Sequence, residues 1–184
     1  MHAFRIKDGD ILDLPRRKSQ RLRNYDYSQN GAYFITICTN NKEHLFGKII
    51  RGQMVLNVYG EILEKHIQKM SNLYDDIKVN NYVVMPNHIH IIIAICRERI
   101  VCVPQSDPTK SQIPQMIQAY KSSVTKEIRE ISRNGTHEMH SLQQQQIWQK
   151  SYHDHIIRNE AEYQKIWEYI DTNPLKWELD KYYL

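Results

Sequence analysis

The chain has 184 residues, 41% of them hydrophobic, and a formal net charge of +4 at pH 7, with a pI near 8.9. That suits one domain with a real core, and the mild basicity admits nucleic acid without demanding it. No apolar run approaches the roughly 18 residues a membrane span requires, and no apolar signal core follows Met1.

Cys38, Cys96 and Cys102 stand outside any Cys-x-x-Cys pair, so a disulfide framework is not expected. The reading is a soluble, cytoplasmic protein with no membrane partner. Twelve tyrosines can stack on bases, although most are expected in or around the core.

Residues 1–30 read as a basic extension, carrying Arg16, Arg17, Lys18, Arg21 and Arg23 with no acid between them. Residues 31–184 read as a single domain. Ala32 to Thr39 is β-branched and aromatic, hence a strand. Residues 45–58 are expected to form a short hairpin around Arg51-Gly52. From Gly60 to Tyr74, apolar residues at 62, 63, 67, 70 and 73 keep helical spacing. Ile77 to Met85 is a second strand, Pro86-Asn87 punctuates, and His88 to Ile95 is a third. Residues 101–112 form a loop. A helix over 113–131 follows, with Ile113, Met116, Ile117, Tyr120, Val124, Ile128 and Ile131 on one stripe.

The polar stretch 134–146, with four consecutive glutamines, reads as a flexible loop. Ile147 to Arg158 is expected to be a fourth strand. Asn159 then caps a last helix, with Glu162 completing a capping box. Its stripe is Tyr163, Ile166, Trp167 and Ile170, and Asn173-Pro174 ends it. The order predicts an α+β, ferredoxin-like βαββαβ sandwich with an antiparallel sheet and an additional C-terminal helix.

His88-Ile89-His90 is the sharpest chemical feature. Strand side chains alternate, so both imidazoles share one face while Ile89, Ile91, Ile93 and Ile95 share the other. The isoleucine face is expected to be the core face and the histidine face the open one. Two imidazoles one pleat apart can ligate a divalent ion, and with oxygen ligands they suit Mn²⁺, Zn²⁺ or a weakly held Mg²⁺. Two surface histidines beside a turn are the plain alternative. Tyr169 and Asn173, four apart on the last helix, share a face. A tyrosine oxygen can attack phosphorus, and an asparagine carbonyl can be a third ligand. An ordinary half-buried tyrosine and a helix-ending asparagine fit the same spacing.

Val83-Val84-Met85-Pro86-Asn87-His88-Ile89-His90 resembles the His-hydrophobic-His segment of the single-tyrosine (HUH) transposases, more specifically the REP-associated tyrosine transposases. Three further blocks resemble that family in the same order: Gly31 to Thr36, Trp148 to Arg158, and Tyr169-Ile170-Asp171-Thr172-Asn173-Pro174-Leu175-Lys176. The resemblance implies a divalent metal, Mg²⁺ or Mn²⁺, on His88, His90 and Asn173, with Tyr169 as nucleophile. It implies nicking and strand transfer of single-stranded DNA through a 5′-phosphotyrosine link, on hairpin, REP-like palindromic substrates, by a monomer or homodimer. His155, in the second His-x-His, is a candidate supporting residue. Candidate phosphate contacts are Lys121, Lys126, Arg158, Lys176 and the arm at 16–23.

Two other functions compete: a hairpin-binding module of the same fold that cuts nothing, and a hydrolase in which a metal activates water. The first lacks a reason to keep all four site residues. The second lacks a neighbouring carboxylate cluster in the sequence.

Overall fold

The computed structural model describes residues 30–96, 112–134 and 145–183. The basic arm at 16–23, most of the loop expected at 101–112 and most of the glutamine-rich loop lie outside the described residues. The elements are β1 (Gly31–Cys38), β2 (Gly47–Ile50), β3 (Gln53–Leu56), α1 (Val58–Leu73), β4 (Ile77–Val84), β5 (His88–Ile95), α2 (Gln112–Asn134), β6 (His153–Ile157) and α3 (Glu160–Thr172), followed by a 3-10 segment, Pro174–Leu179. The main sheet has the order β4-β5-β1-β6, and every pairing is antiparallel. With β2–β3 set apart as its own hairpin, this is the ferredoxin-like βαββαβ arrangement, with α3 added.

Period-two alternation divides the sheet's two faces. Tyr33, Ile35 and Ile37 of β1 and Ile89, Ile91, Ile93 and Ile95 of β5 enter one large core with the apolar stripes of α1 and α2. The opposite face holds a smaller core of Ile92, Ile157 and Ile170, packed by Phe34, Val83, Tyr163, Ile166 and Trp167. That face is therefore covered by α3. β5 is buried on both sides, which explains why it reads as a nearly continuous apolar run. Among the described residues, no helix is long and apolar enough to cross a membrane.

Several boundaries differ from the sequence reading. α1 starts at Val58 because Asn57 caps it, accepting from the N–H groups of Tyr59 and Gly60. The fourth strand is shorter than 147–158. Residues 147–149 do meet the end of β1, through Asn40 N–H to the Ile147 carbonyl at 2.8 Å and Gln149 N–H to the Cys38 carbonyl at 3.0 Å. The Lys121 ammonium then donates to the carbonyls of Gln149 and Ser151 at 2.9 and 2.7 Å. Those carbonyls bond a side chain rather than a strand, and the ladder resumes only at His153.

α3 is held at both ends. Glu162 accepts from the Arg158 N–H and from His155, while its own N–H donates to the Asn159 side chain. On the edge strand β4, the register slips between Val79 and Asn81. Such a bulge re-aims side chains, and both neighbouring asparagines reach α3: Asn80 donates to the Tyr163 hydroxyl and Asn81 to the Asp171 carboxylate, each at 2.9 Å.

Gly60, in the first turn of α1, is fixed by a close approach. A Cβ there would lie 2.3 Å from the Phe46 carbonyl oxygen and 2.8 Å from Leu56 Cδ2. Alanine would gain about 1 kcal/mol of helix propensity, against an overpacking cost of about 1–3 kcal/mol. The contact is with backbone, which cannot rotate away, so the cost wins. Gly60→Ala is expected to lower the urea midpoint with the m-value unchanged; a raised midpoint would show that the hairpin yields.

Candidate active site

The β1–β5 register sets Thr36 opposite His90 and Cys38 opposite His88. Both histidines are buried, at 0% and 1% exposure. The face expected to be open is covered, because the chain beyond α3 folds back across it. The Tyr182 ring lies 4.6 Å from His88 and 5.7 Å from His90 between centroids, and Trp177 lies 5.9 Å from His88.

Each imidazole is oriented through its Nδ1. The Asn87 amide nitrogen donates to the carbonyls of Lys42 and Tyr182, at 3.2 and 2.7 Å. Its oxygen is thereby turned to His88 Nδ1 at 2.8 Å, so His88 carries its proton on Nδ1 and presents a lone pair on Nε2. His90 Nδ1 lies 2.8 Å from the Thr36 hydroxyl, which can donate or accept. The two Nε2 atoms face each other at 3.0 Å. Without an ion, His90 satisfies that contact by donating from Nε2. Freeing its Nε2 as a ligand needs only the other tautomer and a rotation of the Thr36 hydroxyl. Anchoring of the distal nitrogen is how metal-ligating histidines are oriented.

α3 adds Tyr169 and Asn173. The Tyr169 hydroxyl is 3.2 Å from His90 Nε2 and donates to Asp180 Oδ2 at 2.9 Å. The Asn173 amide nitrogen donates to the same oxygen at 2.7 Å. This fixes the amide's orientation and leaves Asn173 Oδ1 buried with no hydrogen-bond partner among the described residues. A stranded acceptor of that kind costs about 1–3 kcal/mol. Asp180 Oδ1 accepts from the Tyr182 N–H at 2.7 Å. His88, His90 and Asp180 offer ligand atoms that all lie within 4.8 Å of one another.

The four residues singled out from spacing thus meet at one point, together with a carboxylate that spacing did not reveal. Asp180 lies eleven residues beyond Tyr169, after an irregular segment, and no periodicity could place it. The phosphate-contact candidates scatter. Lys121 is engaged with the carbonyls of Gln149 and Ser151, and burial lowers its pKa to about 8. Lys126 is exposed on α2, in the layer across the sheet from Tyr169. Arg158 is exposed before α3, and His155 anchors the first turn of α3 through Glu162 rather than joining the histidine pair. Lys176 lies on the 3-10 segment, next to Trp177. Tyr120 and Tyr152 are core residues.

Burial lowers the pKa of His88, against an opposing pull from the Asp180 carboxylate, and lowers that of His90, which the neighbouring His88 lowers further. It raises that of Tyr169, which the adjacent Asp180 carboxylate raises further. Unfolded histidines take up protons near pH 6.5, whereas the folded pair resists until lower pH. Stability is therefore unaffected by these groups above that pH and falls below it, by up to roughly 1.4 kcal/mol per pH unit for each histidine. In the presence of a chelator, the urea midpoint is expected to drop between about pH 7 and pH 5, and to drop less in His88→Gln. Equal pH dependence of the two proteins would mean that the pair is not buried neutral.

No family model matches the chain. An uncharacterized protein of Haemophilus influenzae is 36% identical over 182 residues, which span 93% of this chain and 95% of that one. The structure is also similar to that of a REP-associated tyrosine transposase bound to a REP hairpin, with a TM-score of 0.54 and 23% identity, covering 88% of this chain and 76% of the other. With that identity over nearly the whole of both sequences, the protein belongs to one family with the Haemophilus influenzae protein, and its fold is that of the REP-associated tyrosine transposase.

Proposed function

We propose that this protein is a single-tyrosine transposase that nicks and rejoins single-stranded DNA at hairpins, with Tyr169 as nucleophile and a divalent ion on His88, His90 and Asn173. The observation that carries the reading is the convergence of Tyr169 and the stranded Asn173 Oδ1 on the histidine pair. A metal is the partner that this buried oxygen lacks. The donor set, two imidazoles with an amide oxygen and the Asp180 carboxylate beside them, suits Mn²⁺ or Mg²⁺. The two Nε2 atoms, 3.0 Å apart, would hold the ion together with the Asn173 oxygen. When bound, the ion would draw charge from the phosphate oxygens in the transition state.

The protein's own groups do the rest. Tyr169 is held protonated by burial and by Asp180, so its proton must leave as the oxygen attacks. Its hydrogen bond already points to Asp180 Oδ2. The new bond joins Tyr169 Oη to phosphorus, and the bond from phosphorus to the 3′ oxygen breaks. That oxygen takes up a proton as a free 3′-hydroxyl, and the 5′ side stays on the enzyme as a phosphotyrosine. The phosphodiester energy is conserved in the link, so reversal on a second strand needs no nucleotide cofactor.

The test mixes the protein with labelled single-stranded hairpin DNA and Mn²⁺ or Mg²⁺. A denaturation-resistant protein–DNA band is expected, dependent on metal and absent in Tyr169→Phe, whose urea midpoint stays near that of the parent. DNA binding without a band for any hairpin or metal would favour the binding-module reading and remove the role of Tyr169. Independently of activity, Asn87→Ala releases the His88 ring and is expected to weaken Mn²⁺ binding about 10–100-fold by calorimetry. Unchanged affinity would show that the pair does not hold the ion.

A further inference from the structure

The reaction proposed above leaves one proton without a source. Tyr169 has Asp180 Oδ2 to receive its own, but the 3′ oxygen that leaves phosphorus must gain one. An alkoxide is a poor leaving group, and a positioned acid that protonates it in the transition state is worth about 10²–10⁴-fold in rate. We propose that His153 is that acid. The inference rests on the reading of the protein as a DNA strand transferase.

Strand register places it. Thr36 pairs with His90 on one side and with His153 on the other. Residues directly opposite in a ladder share a face, so His90, Thr36 and His153 form one row across β5, β1 and β6. His155, one pleat along from His153, meets Glu162 of α3, so the row lies on the α3 face. Paired Cα atoms are about 4.5–5.5 Å apart, which sets the backbones of His90 and His153 about 10 Å from each other. Only the short Thr36 side chain stands between them in the row, and its hydroxyl is taken up by His90 Nδ1.

The direction of attack points the same way. α3 starts beside β6, where Glu162 holds His155, and crosses to β4, where Asp171 meets Asn81. Tyr169, two residues before Asp171, therefore comes to His90 from the β4 side. In an in-line displacement the attacking and leaving oxygens lie on opposite sides of phosphorus. The 3′ oxygen then departs away from β4, toward β1 and β6, where His153 stands.

The side chain is available for the task. His90 and Thr36 are buried, whereas His153 is exposed, so the row opens to solvent at β6 and the imidazole can regain a proton there. His155 is committed to Glu162, but among the described residues no hydrogen bond or ion pair engages His153. The proton count closes. As Tyr169 Oη bonds to phosphorus and the bond from phosphorus to the 3′ oxygen breaks, the phenol proton passes to Asp180. The His153 imidazolium gives its proton to the 3′ oxygen and becomes neutral. On rejoining, the neutral imidazole takes that proton back from the attacking 3′-hydroxyl.

The test measures single-turnover formation of the covalent protein–DNA band by the full chain with Mn²⁺. It uses the hairpin DNA that the parent cleaves, and the same DNA with sulfur in place of the bridging 3′ oxygen at the cleaved phosphate. A thiolate leaves without a proton, so the sulfur substrate needs no acid. His153→Gln is expected to be slower than the parent by about 100-fold on the oxygen substrate. On the sulfur substrate it keeps nearly the parent's rate, and its urea midpoint is unchanged. Equal slowing on both substrates overturns the assignment and leaves the transposase reading standing, because His153 would then position rather than protonate. An undiminished rate on the oxygen substrate overturns it as well. So does the oxygen-only loss appearing in Tyr182→Phe instead, since that ring also lies against Thr36. A parent that forms no band on any hairpin removes the reading on which the inference rests.

Discussion

The antiparallel pairing of β1 with β5 is the constraint on which the rest depends. It places Thr36 opposite His90 and, through strict alternation, sends every isoleucine of odd number in β5 into the large core. A slip of one residue would bury the two imidazoles among α1 and α2 and turn the isoleucines toward α3. The site therefore inherits its geometry from core packing. The energy that holds the histidines in place is mostly the burial of the aliphatic residues on the other side of the same strand.

Covering the histidine face has an electrostatic consequence. Two imidazoles and an amide oxygen removed from water cannot be left to solvate themselves, and each must find a partner inside the protein. Asn87 and Thr36 satisfy the distal nitrogens, and Asp180 satisfies the Asn173 N–H and the Tyr169 hydroxyl. What remains is a cluster of nitrogen and oxygen atoms turned toward one point, with Asn173 Oδ1 unpartnered among the described residues. The polar network is complete on its outside and deficient in positive charge at its centre.

The sequence carried the parts of this arrangement that follow a period. Alternation in 88–95, the stripes of α1, α2 and α3, the cap at Asn159 and the four-residue spacing of Tyr169 and Asn173 were all legible, because a regular backbone turns spacing into direction. The contributions of Asp180, Tyr182 and Trp177 were not. They stand on an irregular segment whose path is set by tertiary contacts with Asn87, His88 and Lys42. Lys121 shows the converse. Its place on α2 suggested a contact to phosphate, but the carbonyls of Gln149 and Ser151 accept its hydrogen bonds. The length of the fourth strand was misjudged for the same reason, since a side chain competing for backbone carbonyls leaves no mark in a hydrophobic pattern.

The capping of α3 makes the position of Tyr169 a matter of counting. The helix is started at Asn159, gripped along the way by Asn80 and Asn81, and ended at Asn173. Each residue advances the helix by about 100° and 1.5 Å. Substitutions along its solvent face leave the angular address of Tyr169 untouched. One residue inserted or removed between 160 and 168 would swing the phenol about a quarter-turn out of the site while leaving both caps chemically intact. In this protein the length of α3 is under a stricter constraint than its composition, and variation in the lineage should accumulate there by replacement and never by insertion.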